Sequence, residues 1–510
     1  MSVCVTVTLM SGKSVQITSS LDCTTDELRL QAEKALQCGP GRLVDASGQA
    51  LTGETSLYQS GVKTGDILMW HIRQVSLAAK NTSVAAVLGD GSVVTWGDAG
   101  SGGDSRCVKE QLKDVRQIQS TGKAFAAILG DGSVVSWGAP TYGGDCSLVK
   151  EQLKDVQQIQ ATGRAFAAIL LDGSVVTWGF PSCGGDSSSV REQLQKVRQI
   201  QATRRAFAAV LDDGSVVTWG TSSCGGDCGA IQEKLKDVQH IQATRRAFAA
   251  VLRDGSVVTW GDAVCGGDCL LVREKLKDVQ QIQATSFAFA AILGDGSVVT
   301  WGDAVAGGDS SSSQDLLKSV QTIQATAGAF AAILSDGSVV SWGPAAYGGD
   351  CSVVKDQLER VQRIQATQKS FAAILLDRSV VTWGSDSSGG DCSAVRDQLK
   401  DVQQIQATGH AFAAILGDGS VVTWGHASSG GDSSAVQEHL LDVQHVQDAE
   451  GYQELIEAYF DRRYPGWDDP PKLGLSSPVH RLKYLDQALR SSDEPGIDES
   501  LKELDEEVSD

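Results

Sequence analysis

The chain has 510 residues, a formal net charge of −20 and a hydrophobic content of 41%. This acidic balance lacks the basic footprint that generic binding to nucleic acid or to anionic membranes requires, so we expect neither partner. No apolar run approaches the roughly 20 residues that span a bilayer, and residues 1–9 lack the basic start and apolar core of a signal peptide. We therefore expect a cytoplasmic protein, with the nucleus as the alternative.

Residues 1–73 predict a small α+β domain. A Ser11-Gly12-Lys13 turn joins two alternating segments into a hairpin, and Thr24 to Glu27 is typical of a helix start. The predicted order is therefore ββαββ, with strands at Val3–Leu9, from Ser14, at Gly41–Val44 and at Asp66–Ile72. Together with Arg42-Leu43-Val44 and Gly65-Asp66, this order resembles the ubiquitin β-grasp; generic α+β packing is the alternative.

The resemblance implies an apolar patch for ubiquitin receptors at Met10, Val44 and either Leu68 or Trp70. Strand alternation puts Leu68 and Trp70 on one face and the neighbouring Ile67 and Met69 on the other, so part of this patch is alternatively core. The chain continues past residue 73 without a terminal Gly-Gly, which argues against conjugation. Receptor docking and capping of the next domain remain the two roles for this module.

Residues 75–447 form a repeat array. Trp-Gly recurs nine times at a spacing of 41 residues, and self-similarity at a fixed period is typical of units that stack on their neighbours. The repeated tryptophans are Trp96, Trp137, Trp178, Trp219, Trp260, Trp301, Trp342, Trp383 and Trp424. Arrays of this kind usually bind partners, so we expect no enzymatic activity.

The sequence pattern of each unit predicts three strands and a short helical or irregular element. Residues 165–170 are apolar on both faces, which is typical of a strand buried on both sides. Asp172-Gly173 predicts a tight hairpin whose two central residues have positive φ, and Val175–Gly179 is the returning strand. A helical spacing of apolar residues follows a capping run at Ser187.

The Asp-Gly-Ser-Val-Val-Thr-Trp-Gly core resembles the regulator-of-chromosome-condensation repeat. The resemblance implies a mainly β fold with a propeller-like array, which is our first expectation; a larger ring or an open spiral of the same units is the alternative. The units are shorter than that family's repeat, and nine copies exceed its usual seven. Residues 448–510 predict an acidic helical tail that caps the last unit.

The sequence offers no recognisable catalytic, cofactor or metal site. The seven histidines lie outside any nucleophile–base arrangement, and no Gly-rich phosphate loop opens a helix. Cysteine alternates with serine and alanine at fixed repeat positions, which favours free thiols over zinc ligands. One aspartate per Gly-Gly-Asp turn favours local turn bonding over calcium binding.

The candidate partner-binding residues are an arginine row at varying positions of three consecutive units: Arg164, Arg204, Arg205, Arg245 and Arg246. Guanidinium groups suit acidic or phosphorylated protein segments; pairing with nearby turn aspartates is the alternative. We therefore predict a non-catalytic interaction scaffold linked to the ubiquitin system. The alternatives are a substrate-recruiting subunit of a ubiquitin ligase and an exchange factor for a small GTPase. The roughly 63 residues after the array are too few for a HECT ligase domain.

Overall fold

The structure is a computed structural model that describes residues 2–9, 13–36, 41–46, 50–51, 55–71, 76–80, 83–87, 91–418, 420–429 and 431–432. All of these belong to one compact unit, Met1–Ile456. The predicted helical tail at 448–510 lies outside the described residues, as does Met10 of the predicted patch.

The N-terminal domain is a β-grasp. Its elements are β1 (Ser2–Leu9), β2 (Ser14–Ser20), α1 (Thr25–Leu36), β3 (Arg42–Val44), β4 (Ala50–Leu51) and β5 (Ile67–His71). The sheet order is β2-β1-β5-β3-β4, with β1 parallel to β5, and the helix packs Leu28, Ala32 and Leu36 into the core. A reciprocal capping box starts the helix, because the Thr24 amide donates to Glu27 Oε2 at 2.9 Å and the Glu27 amide to Thr24 Oγ1 at 3.2 Å. The predicted ββαββ order is confirmed, with β4 as an additional short strand.

Nine three-stranded antiparallel sheets follow within the described part of the chain, one per repeat. In chain order the strands are Ser76–Lys80, Ser83–Val87 and Val93–Gly97; Val115–Ser120, Ala124–Leu129 and Val134–Gly138; Val156–Ala161, Ala165–Leu170 and Val175–Gly179; Val197–Ala202, Ala206–Leu211 and Val216–Gly220; Val238–Ala243, Ala247–Leu252 and Val257–Gly261; Val279–Ala284, Ala288–Leu293 and Val298–Gly302; Val320–Ala325, Phe330–Leu334 and Val339–Trp342; Val361–Ala366, Ser370–Leu375 and Val380–Gly384; Val402–Ala407, Ala411–Leu416 and Val421–Gly425.

Short helical turns connect consecutive sheets, and the last of them follows the ninth sheet. They lie at Ala99–Ser101, Lys109–Gln111, Pro140–Tyr142, Lys150–Gln152, Pro181–Cys183, Ser188–Val190, Ser222–Cys224, Gly229–Lys234, Ala263–Gly267, Arg273–Lys275, Ala304–Ala306, Ala345–Tyr347, Ser352–Gln357, Asp386–Ser388, Ser393–Val395 and Ala427–Ser429. The predicted three strands plus a short helical element are confirmed. The Ser187 side chain does not cap the turn that follows it; Asp186 Oδ1 accepts from the Ser188 amide instead, at 2.9 Å.

The Asp-Gly hairpins are present, but their turn type differs from the prediction. In the third sheet Gly173 has φ +78°, whereas Asp172 has no positive φ. The Leu170 amide donates to Ser174 O at 2.9 Å and the Gly173 amide to Leu170 O at 2.9 Å, which closes a three-residue loop. A three-residue loop needs a left-handed residue only at its last position, so only glycine is required there.

Each hydrophobic core is shared by two consecutive sheets. Phe207 and Trp219 of the fourth sheet stack with their ring centroids 5.1 Å apart and pack against Ala165 and Ala167 of the third. Trp219 Nε1 also donates to Gly184 O at 3.0 Å, in the turn that precedes its own sheet. The middle strands of the second to ninth sheets are buried on both faces, as predicted, and a unit therefore completes its core only with its neighbour.

A ladder of backbone hydrogen bonds runs along the array. One residue of each unit takes part, and its amide donates to the carbonyl of the residue 41 positions later, at 2.8–2.9 Å. The residues joined in this way are, in order, Gly122, Gly163, Arg204, Arg245, Ser286, Ala327, Gln368 and Gly409. Units therefore approach to about 4.8 Å along this line, a strand-to-strand spacing. Within the described ranges no hydrogen bond or strand pairing joins the first sheet to the ninth. The tandem sheets form no closed barrel, and the open-spiral alternative is consistent with this arrangement.

The β-grasp domain contacts the array through an ion pair. Arg42 Nη1 of β3 lies 3.6 Å from Asp114 Oδ1, which directly precedes the second sheet. The Arg42 side chain is largely buried and that of Asp114 is partly exposed. The two domains therefore meet at the edge of the array that carries the Asp-Gly hairpins, because the Val115 amide next to Asp114 bonds the hairpin carbonyl of Gly91.

Candidate protein-binding surface

The arginine row lies along the backbone ladder. Arg204 and Arg245 are members of the ladder itself. Arg164, Arg205 and Arg246 each directly follow a ladder residue in the sequence. Four of the five side chains are exposed and that of Arg205 is half-buried. Stacking at strand spacing therefore brings residues separated by 41 positions in the sequence close together along one line.

Buried threonines hold this surface in place. Thr244 Oγ1 accepts from the Ala247 amide at 3.0 Å and donates to the Cys265 carbonyl, also at 3.0 Å. Thr203 makes the same bonds to Ala206 and Cys224. Each threonine thereby joins the start of a middle strand to the turn after the Trp-Gly strand, so the arginines project from a fixed backbone.

Aromatic rings flank the arginines. The Arg164 guanidinium lies 4.9 Å from the Tyr142 ring centroid and 5.4 Å from that of Phe180. The Arg245 guanidinium lies 5.3 Å from the Phe287 ring. Rings hold a guanidinium by its face and leave its N–H edges available for an acceptor. The sequence analysis did not identify these rings as neighbours of the arginines. Tyr142 lies 22 residues before Arg164 and Phe180 lies 16 residues after it, while Phe287 lies 42 residues after Arg245.

The alternative, pairing with turn aspartates, is met at Arg246. Its Nη1 forms an ion pair at 3.3 Å with Asp262, whose side chain caps the turn Ala263–Gly267. The Gly-Gly-Asp carboxylates are bound to their own backbone instead: Asp227 Oδ1 accepts from the Gly229 amide at 2.8 Å. These aspartates form the local turns that the sequence indicates.

The predicted ubiquitin-like patch requires a correction. Leu68 and Trp70 are each 1% exposed and belong to the β-grasp core, so their assignment to a docking patch is wrong. The pleat puts their neighbours outside: Ile67 is 60% and Met69 37% exposed. Val44 is partly exposed and pairs with Met69 across the sheet. The apolar face that the structure offers therefore consists of Val44, Ile67 and Met69.

The cysteines of the array interior are free and buried, including both members of the pair Cys224 and Cys228. Burial, with a smaller contribution from Asp262, raises the pKa of the Cys265 thiol to about 11. Burial likewise raises the pKa of Cys228. Such thiols stay protonated and unreactive near neutral pH. No group of three or more metal-ligating side chains occurs among the described residues.

Among the described residues, no helix is long and apolar enough to span a membrane. No protein-family model and no curated protein matches the chain. Solved structures similar to it include yeast RCC1 (Prp20) bound to Kap60, with 16% identity, covering 44% of this chain and 69% of that chain at a TM-score of 0.30. Prp20p from Saccharomyces cerevisiae, studied for binding to Gsp1p and histones, has 14% identity, with coverage of 63% and 84% and a TM-score of 0.33. A protein designed from ubiquitin has 20% identity, with coverage of 14% and 85% and a TM-score of 0.13. TM-scores below 0.5 assign neither a family nor a partner to this chain.

Proposed function

We propose that this protein is a non-catalytic interaction scaffold whose array binds an acidic or phosphorylated protein segment along the arginine row. The observation that carries the proposal is the alignment of Arg164, Arg204, Arg205, Arg245 and Arg246 on one rigid line, in a chain of net charge −20. A concentrated positive line on an acidic protein favours a partner of opposite sign, and the net charge of −20 disfavours nucleic acid as that partner. We place this activity in the cytoplasm.

The test uses a fluorescein-labelled twelve-residue peptide of aspartate and glutamate, a phosphoserine version of it, and anisotropy at two salt concentrations. Reversing Arg204, Arg205, Arg245 and Arg246 to glutamate should abolish binding, and binding by the natural protein should weaken as salt rises. The matched control reverses four exposed lysines, each of which pairs with a glutamate three residues away: Lys113, Lys154, Lys236 and Lys277. Equal losses in both variants would reduce the effect to net charge and refute the surface.

A link to the ubiquitin system is a second candidate, supported by the exposed apolar face of Val44, Ile67 and Met69. The probe is a ubiquitin-interacting helix peptide, titrated into the full chain. Met69→Asp should abolish binding, whereas Leu30→Asp, on the helix, should not. Unchanged binding by the Met69 variant would remove this link, and accelerated nucleotide release from a small GTPase would favour the exchange-factor alternative.

A further inference from the structure

The arginine row ends in an apolar surface. Phe287 occupies the position of Arg164, Arg205 and Arg246 in the next unit, and its ring stacks under the Arg245 guanidinium. Beside it, Val264 is 67% and Val305 74% exposed. The same position carries Thr141, Ser182, Ser223, Ala346 and Ser387 in other units. The exposed valines of these two consecutive units therefore differ from the small or hydroxyl-bearing residues that the other units have at this position.

One carboxylate connects the two surfaces. Asp262 Oδ2 accepts from Arg246 at 3.3 Å, and Asp262 Oδ1 accepts from the Val264 amide at 2.9 Å. Asp303 Oδ1 holds Val305 by the same bond, at 2.9 Å. Val264 therefore stands on a turn fixed directly beside Arg246, and Val305 stands on the equivalent turn of the next unit, where the Asp303 amide donates to Phe287 O at 3.0 Å.

A groove of about 330 Å³ opens on the same turns. Its lining includes Ala263, next to Val264, and Gly302, next to Asp303, together with Leu270 and Leu271. Those leucines are 69% and 100% exposed, whereas the preceding unit has Gly229 and Ala230 in their place. Two exposed leucines thus line a concavity of the size of one or two bulky side chains, and the two exposed valines lie on the turns next to it. Such a cluster marks an interaction site.

We propose that the protein segment bound by the arginine row is bipartite: a run of acidic or phosphorylated residues on the arginines, followed by bulky apolar side chains on the surface of Phe287, Val264, Val305, Leu270 and Leu271. This rests on the proposed function of the row and adds the partner's second half. Charge attracts the acidic half, while the apolar half fixes the register, because the five arginines are otherwise close to equivalent along the ladder.

The experiment uses two labelled peptides with the same acidic block, one ending in Leu-Phe-Leu and one in Ser-Ser-Ser, each made in both block orders. We expect the natural protein to bind one order of the Leu-Phe-Leu peptide about tenfold more tightly than its serine counterpart. Changing Val264 and Val305 to serine, the residue of other units, should remove this difference and leave the affinity for the serine peptide unchanged. Changing Leu148 and Val353 to serine, which are 96% and 94% exposed in other units, is the matched control and should leave the difference intact.

Equal affinity of the natural protein for both peptides in both orders, or a difference that survives in the Val264 and Val305 variant, overturns the bipartite partner. In either case loss of binding on arginine reversal still supports the proposed function. If arginine reversal leaves both affinities unchanged, the proposed function fails, and the acidic half of this inference fails with it. Equal thermal midpoints of all variants establish that binding and not folding has changed.

Discussion

Arg378 is the one non-glycine residue among the described hairpin turns at this position, and we predict that Arg378→Gly stabilises the protein slightly. Its φ is +64°, where the equivalent glycines have values of +76° to +83°. The turn keeps its bonds, because the Arg378 amide donates to Leu375 O at 2.9 Å and the Val402 amide to Arg378 O at 2.9 Å. A side chain in this left-handed conformation costs about 1 kcal/mol, which glycine avoids.

The structure also shows an opposing contribution. Arg378 Nη1 lies 2.6 Å from Asp401 Oδ1, and both side chains are about half exposed. An exposed pair of this kind contributes about 0.5 kcal/mol. The net gain from Arg378→Gly is therefore about 0.5 kcal/mol, rising to about 1 kcal/mol when Asp401→Asn has already removed the pair.

Urea unfolding followed by circular dichroism measures these values for the natural protein, both single variants and the double variant. Repeating the titrations in 1 M salt should screen the pair and bring the gain in the natural background close to that of the Asp401→Asn background. Destabilisation by Arg378→Gly in the Asp401→Asn background would refute the reasoning, because no ion pair then remains to explain it.

Three other predictions concern the array. Gly337→Ala should destabilise it by about 1 to 2 kcal/mol in urea titrations, because the new Cβ at a positive φ would lie 2.7 Å from Arg360 Cα unless the backbone shifts, as it does at Arg378, where φ is +64°; a neutral result would mean that the units separate easily. Deleting residues 320–360, one whole unit, should shorten the array with a mild loss of thermal stability, whereas broad unfolding would indicate ring closure. Bonds from the Ser215 hydroxyl, then its amide, lower the pKa of Asp213, so this carboxylate stabilises the fold above its unfolded pKa of about 4 and that contribution is lost as pH falls through the lower folded pKa. Stability should therefore fall from pH 5 to pH 2, and less steeply in Asp213→Asn; an identical pH dependence would contradict this assignment.

The sequence predicts the units well because their signals are local and repeated nine times. The strand pattern, the Asp-Gly hairpins and the β-grasp order all follow from spacing within a few tens of residues. The turn type was mispredicted because Asp-Gly fits both two- and three-residue loops, and hydrogen bonds from Leu170 and Gly173 decide between them. The predicted docking roles of Leu68 and Trp70 failed because alternation separates two faces without stating which one α1 covers.

The candidate surface was predicted only in part. Repetition alone places the arginines on one line, since equivalent positions of stacked units share a face. Their contacts with Tyr142, Phe180 and Phe287 depend on how far apart neighbouring units stand, which period and composition leave open. That distance is visible only in the backbone ladder.

The ion pair between Arg42 and Asp114 affects which repeat of the array packs against the β-grasp domain. Because the units are nearly identical, a shift of the packing by one whole repeat would restore most contacts between neighbouring units. The array by itself therefore resists such a shift only weakly. Lys196 and Arg360 stand at the place of Asp114 in two later units and would repel Arg42, whereas Asp155, Asp237, Asp278 and Asp401 stand there in others and could pair with it. The ion pair therefore holds one end of a periodic structure against a shift by two units, which would bring Lys196 to Arg42, but not against a shift by one, which would bring Asp155.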